Sequence, residues 1–157
     1  MISQEFIKVL RRINERFQKH KIRWVLVGSL SLALQDVKIK PKDIDILTDK
    51  EGALKSNEIF KKHIKKAIVW RQTERYDSFF GKFQINGVVV EIMGDLNVKE
   101  RNKWIELKPR LEKPQFIRVE DMLIPVSPLE DQLKLYKKST NNKDKKRVRF
   151  IEKALNL

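Results

Sequence analysis

The chain has 157 residues and carries 35 Lys and Arg against 21 Asp and Glu, a formal charge of +14 at neutral pH. A hydrophobic content of 41% excludes a disordered basic tail, and the length suits a single domain over 1–157. With no cysteine, a disulfide framework, a thiolate zinc site and a cysteine nucleophile are all excluded.

In chain order, Ile2, Phe6, Leu10, Ile13 and Phe17 recur at helical spacing, and Ser3 is placed to cap that helix. The run Trp24–Val27 reads as a short buried strand ending at Gly28-Ser29, with a helix-compatible stretch to Leu34. A basic loop spans Val37–Pro41, where the proline blocks a helix. Asp43–Leu47 alternates strictly and predicts a half-buried strand. Thr48-Asp49 is placed to cap a helix over Glu51–Lys66, with a strand at Ala67–Arg71. Asn86-Gly87 between Ser78–Ile85 and Val88–Met93 predicts a hairpin, because a type I′ turn needs positive φ at both positions. Trp104–Leu107 and Gln115–Val119 suit edge strands, and Pro125 and Pro128 punctuate a loop. Leu129–Lys138 predicts a helix with Glu130 and Asp131 in its first turn, and Lys143–Leu157 a last basic helix. This order predicts an α/β (α+β) fold with a small mixed sheet, helices packed on one face and a C-terminal helical segment at about 128–157.

No apolar run reaches the roughly 20 residues of a membrane span, and 1–17 carry charges throughout, unlike a signal peptide. The expected location is cytoplasmic, away from membranes. The charge surplus draws polyanions and tilts the expected partners toward RNA, tRNA included. Lys143–Arg149 reads as a solvated helix face. His20 and His63 read as surface residues, and Asp95 as a turn residue after Gly94.

Three acids stand out. Asp43 and Asp45 point to one face of a strand, with Ile44 and Ile46 toward the core. Two such carboxylates repel unless a positive charge sits between them, and a hard divalent cation meets that need. Glu91 lies between Val90 and Ile92, where a charge inside an apolar strand requires a partner or a metal. If its strand neighbours Asp43–Leu47, the three acids converge. Gly28 at a strand-to-helix turn lets the backbone approach a ligand, and the Ser29 hydroxyl suits a phosphate. The leading alternative for Glu91 is a structural ion pair with a lysine. Neither Gly-x-Gly-x-x-Gly nor Gly-Lys-Ser/Thr occurs.

The run Val27-Gly28-Ser29, thirteen residues, Asp43-Ile44-Asp45-Ile46 and later Val90-Glu91-Ile92 resembles the signature of the DNA polymerase β-type nucleotidyltransferase superfamily. The likeness covers about 22–96, and the layout is similar to small single-domain members. It departs from many of these at Lys40-Pro41-Lys42 and in having Glu91 for the commoner Asp. The resemblance implies transfer of a nucleoside monophosphate from an NTP, most simply ATP, to a hydroxyl of RNA, protein or a small molecule, with release of pyrophosphate. It implies two Mg²⁺, or Mn²⁺, held by Asp43, Asp45 and Glu91, and a triphosphate held by Gly28, Ser29 and Lys137. The alternative it leaves is a silent binding module, an RNA binder or the partner protein of a toxin–antitoxin pair.

Overall fold

Helix α1 (Gln4–Lys19) forms where the periodicity places it, with the Ser3 side chain accepting from Phe6 N at 3.3 Å. It buries Val9, Leu10, Ile13 and Phe17. The computed structural model describes residues 2–107 and 109–157. Strand β1 (Trp24–Val27) leads directly into α2 (Gly28–Leu34), and β2 (Ile44–Thr48) into α3 (Lys50–Ile59). Asp49 caps α3, its carboxylate accepting from Gly52 N at 2.7 Å. The helix stops at Ile59, short of the expected Lys66, because Phe60 is drawn into the core; a 3₁₀ turn over Lys61–His63 follows.

Strand β3 (Ile64–Gln72) pairs with β4 (Tyr76–Ile85), which turns back into β5 (Val88–Glu100). At that turn Asn86 and Gly87 have φ of 48° and 80°, the conformation the dipeptide predicts. Strand β5 runs seven residues past the expected Met93 and pairs there with β6 (Lys103–Glu106). Asp95, expected in a turn, lies inside β5 at φ 51° and accepts from Lys50 N.

The chain closes with β7 (Gln115–Val119), β8 (Met122–Val126), α4 (Leu129–Lys137) and α5 (Asn142–Ala154). Met122–Val126 is a strand where a proline-marked loop was expected. The two-residue turn makes Val119↔Met122 and Ile117↔Ile124 the hydrogen-bonded pairs, so Pro125 falls opposite Phe116 at a pair that needs no N–H. Strand β1 joins β8 in parallel at Leu26↔Val126, beyond the proline.

The mixed sheet has the order β3-β4-β5-β2-β1-β8-β7, with β6 on the far end of β5. One face packs against α1 and α3 through Leu26, Ile44, Ile46, Phe83, Val90 and Ile92, all fully buried. The helices α2, α4 and α5 form a separate cluster around Leu32, Leu133, Tyr136 and Ile151. On the face opposite α1 and α3, Val25, Leu47 and Leu96 make a smaller apolar floor. Because strand side chains alternate, every residue that puts an isoleucine or valine into the main core puts its neighbour on this second face.

Gly94 marks a close contact between β5 and α3. A Cβ there would stand 2.6 Å from Ala53 Cβ and 2.7 Å from Asp49 O. Gly94→Ala is expected to destabilise the fold by about 1–3 kcal/mol, the scale of overpacking. Urea unfolding followed by circular dichroism measures it.

Candidate active site

Strands β2 and β5 are parallel neighbours, and their register sets Asp45 directly beside Glu91. Across β2 on the other side, Val27 of β1 is opposite Asp45, so the next residue, Gly28, turns over the same carboxylate. Gly28 has φ +76°, a conformation side chains disfavour, and a Cβ on it would strike Asp45 Oδ2. The missing side chain is therefore what lets the turn and the acid coexist.

These residues line a cavity of about 450 Å³. Its floor is apolar, with Val27, Leu47, Met93 and Leu96, and its wall opposite carries Gln132, Tyr136 and Arg147 from the last two helices. Burial, then the charge of Glu91, pushes the Asp45 carboxyl up to about 7, with the nearby Asp43 adding to the effect and Arg147 opposing it. Glu91 forms an ion pair with Lys82 of β4 at 3.4 Å, the lysine partner that its sequence context allowed for.

A polar chain ties the turn to the C-terminal helices. Gly28 N donates to Gln132 Oε1 at 3.1 Å, and Tyr136 Oη donates to the same oxygen at 3.3 Å. Arg147 Nη1 donates to Tyr136 Oη at 3.2 Å. Gln132 Nε2 is shared between Ser31 Oγ and the Ser127 carbonyl, each at 2.8 Å. Burial pushes the Tyr136 phenol up to about 12, so it remains a neutral hydroxyl able to donate and accept at once. Among the described residues every buried side-chain nitrogen and oxygen has a partner.

The six residues singled out in the sequence thus have different placements. Gly28, Asp45 and Glu91 meet at the cavity. Asp43 precedes β2 by one residue and stands outside the lining, close enough for its charge to act on Asp45. Ser29 is buried, and its Oγ accepts from Lys42 N at 2.9 Å, holding the loop that delivers Asp43. Lys137 lies on the outer side of α4, 54% exposed and 3.9 Å from Glu152, away from the cavity. Among the described residues no three acidic or imidazole side chains are grouped as a metal cage. The Asp45–Glu91 pair nonetheless fits a hard divalent cation, since both donors are carboxylates and the charge of Glu91 disfavours ionisation of Asp45.

Arg147, Gln132 and Tyr136 were not anticipated. Their signal was available in the helical spacing: Asp144, Arg147 and Ile151 share one face of α5, and all three are buried. The basic run around Arg147 concealed it.

Comparison with known proteins agrees with this geometry. A family model described as aminoglycoside-2″-adenylyltransferase matches residues 9–151. A crystal structure of a Thermotoga maritima protein described as a nucleotidyltransferase is 37% identical, covers 99% of this chain and 96% of its own, and superposes with a TM-score of 0.82. The lincosamide antibiotic adenylyltransferase LnuA, lincomycin-bound, shares the fold at 15% identity and TM-score 0.63, covering 96% and 97% of the two chains. ANT(2″)-Ia in complex with adenylyl-2″-tobramycin shares it at 8% identity and TM-score 0.60, covering 97% and 90%. No curated protein matches. The chain belongs to the aminoglycoside-2″-adenylyltransferase family, within the nucleotidyltransferase superfamily, and is a nucleotidyltransferase.

The raised Asp45 pKa has a consequence for stability. A carboxyl that ionises near 7 when folded and near 3.8 when unfolded adds no penalty below pH 4. Its penalty grows as pH rises through that window and is complete above 7. Asp45→Asn is therefore expected to raise the melting temperature at pH 8 and leave it nearly unchanged at pH 4. Thermal melts across pH 4–8 check both the sign and the window.

Proposed function

We propose that the cavity transfers AMP from ATP to a hydroxyl of an acceptor molecule and releases pyrophosphate. The observation that carries this reading is the parallel register of Asp45 and Glu91 beneath a glycine that leaves Asp45 uncovered. Asp45 and Glu91, joined by Asp43 from the preceding loop, would hold Mg²⁺. When bound, the metal supplies charge stabilisation for the attacking and leaving oxygens of an in-line displacement.

The chain's own residues do the rest. The Gly28 corner gives phosphate oxygens room beside Asp45. Gln132 fixes the corner's N–H, and Tyr136 and Arg147 fix Gln132 in turn. The Arg147 guanidinium, 9% exposed and facing Asp45, offsets charge on the phosphates. The acceptor approaches from the Glu91 side, where a carboxylate orients its hydroxyl and draws its proton. The new bond is acceptor oxygen to the α-phosphorus, the broken bond runs from that phosphorus to the bridging oxygen, and pyrophosphate carries the electron pair away. Two further parts of this reading rest on the sequence. ATP as donor follows the superfamily likeness. A cytoplasmic setting is the one the sequence suggests; the lack of cysteine fits it, and among the described residues no helix is long and apolar enough to cross a membrane.

Calorimetry with α,β-methylene ATP tests this directly. Binding is expected to require Mg²⁺ in the native chain and to weaken about 100-fold in Asp45→Asn, the scale of losing one preorganised electrostatic contact. With labelled ATP, α-phosphate label and not γ-phosphate label is expected in the acceptor product. Mg²⁺-independent binding, or γ-label transfer, would overturn the reading.

A further inference from the structure

The acid pair belongs to a longer row. In direct register across five strands stand Val27, Asp45, Glu91, Lys82 and Lys66. Side chains at directly opposed positions share a sheet face, so two acids are followed by two lysines along one line of the cavity side. Gly28 lies at the Val27 end; the lysines lie at the other. Like charges directly opposed destabilise a sheet. Lys82 is compensated by Glu91 at 3.4 Å. Lys66 is exposed, lines the cavity and, with Arg71 on the same strand, has no carboxylate within ion-pair distance among the described residues. Arg71 is held in place by two main-chain carbonyls, Nε to Phe80 O at 3.2 Å and Nη2 to Ala67 O at 2.9 Å. Two of its five N–H groups are thereby used and the remainder are free to donate. Thus Glu91 and Lys82 compensate one another at the middle of the row, while Lys66 and Arg71 at its end face the cavity without a carboxylate partner among the described residues.

We infer that Lys66 and Arg71, which line the cavity, mark the acceptor subsite, and that the acceptor is a small molecule bearing an anionic group, phosphate or carboxylate, as well as its reacting hydroxyl. The inference rests on the transfer reading above and deepens it. Strand β3 lies two strand spacings from Glu91, about 10 Å, a span that a small polyol phosphate or hydroxy acid reaches with its hydroxyl at Glu91. The nucleotide phosphates occupy the opposite end, so they do not account for these cations. Engagement of Glu91 by a metal would release Lys82 and add it to the anion site. The neighbouring lining mixes Phe80, Met93 and Leu96 with the hydroxyls of Thr73, Tyr76 and Ser78, and the one carboxylate on α4 that lines the cavity, Asp131, is taken by Arg110 at 2.9 Å. A polycation has nothing to bind on this side. The cavity volume of about 450 Å³ favours a small acceptor over a nucleic acid end.

The test uses the full chain saturated with α,β-methylene ATP and Mg²⁺, with inorganic phosphate as the probe in calorimetry. Phosphate is expected to bind without displacing the analogue, and Lys66→Ala is expected to weaken it about tenfold or more, the scale of one charged hydrogen bond. Neutral ribose and polycationic tobramycin are expected not to bind. Lys66→Glu, at an exposed position, should abolish phosphate binding while keeping the native melting temperature and analogue affinity. The acceptor class is overturned if phosphate does not bind the saturated chain, if Lys66→Ala leaves phosphate affinity unchanged, or if that variant loses analogue affinity instead. It is also overturned if tobramycin or a short oligoribonucleotide binds more tightly than phosphate. Failure of the analogue itself to bind would overturn the transfer reading, a separate result.

Discussion

Two carboxylates that repel one another are held side by side because their neighbours in the chain do not want to be anywhere else. Ile44 and Ile46 flank Asp45, and Val90 and Ile92 flank Glu91; all four are fully buried against α1 and α3. Burying each such side chain contributes about 1.5–3 kcal/mol. A slip of either strand by one residue would send the isoleucines to the cavity and an acid into the core. The hydrophobic register therefore carries the cost of holding the acids there, and that cost appears as the raised pKa of Asp45, caused first by burial and then by the charge of Glu91. Two carboxylates so placed are the donors that the proposed Mg²⁺ would engage.

The C-terminal helices pack on α2 through apolar contacts and reach the Gly28 corner beside this pair through hydrogen bonds. Their own cluster around Leu133 and Ile151 is separate from the main core. Their link to the Gly28 corner runs through Gln132, Tyr136 and Arg147. Each member is satisfied by the next, and buried polar networks of this kind are rigid when complete and costly when one member is lost. The arrangement makes the orientation of the Gly28 N–H dependent on α5, 119 positions away in sequence by the simple difference 147 − 28. It also gives Arg147, the last member, a place where it faces Asp45 without neutralising it.

Much of this was legible in the sequence because alternation and turn chemistry are local. The strands bearing Asp45 and Glu91, the Asn86-Gly87 hairpin, the Ser3 and Asp49 caps and the corner at Gly28 all follow from spacings of a few residues. Long-range pairing carries no such mark. Met122–Val126 looked like a loop because Pro125 seemed to forbid pairing, and only the register with β7 and the late start of β1 leave its missing N–H unneeded. Ser29 has the residue type for a phosphate contact, and that its Oγ also accepts from Lys42 N is a pairing no local motif reports. Lys137 and Arg147 differ by which side of their helices is covered, and neither a charge count nor a motif reports that. Arg147 lay within a run of cations that reads as solvated, although its spacing from Ile151 marks the buried face.

Net charge is a poor guide to what a chain of this kind recognises; the placement of a few unpaired cations is a better one. Several of the basic groups close ion pairs away from the cavity, as Arg11 does with Glu120 and Asp121 and Lys138 with Glu100. Family membership establishes the class of reaction, and relatives with the same fold, one bound to lincomycin and another to adenylyl-2″-tobramycin, share only 15% and 8% of residues with this chain. Sequence divergence of that depth preserves the strand frame that aligns the acids, since the frame is specified by apolar alternation that many sequences satisfy. On the acceptor subsite inferred above, selection among acceptors falls to Lys66 and Arg71 of strand β3, two strand spacings from Glu91, so a change there alters which molecule is drawn in without touching Asp45 or Glu91.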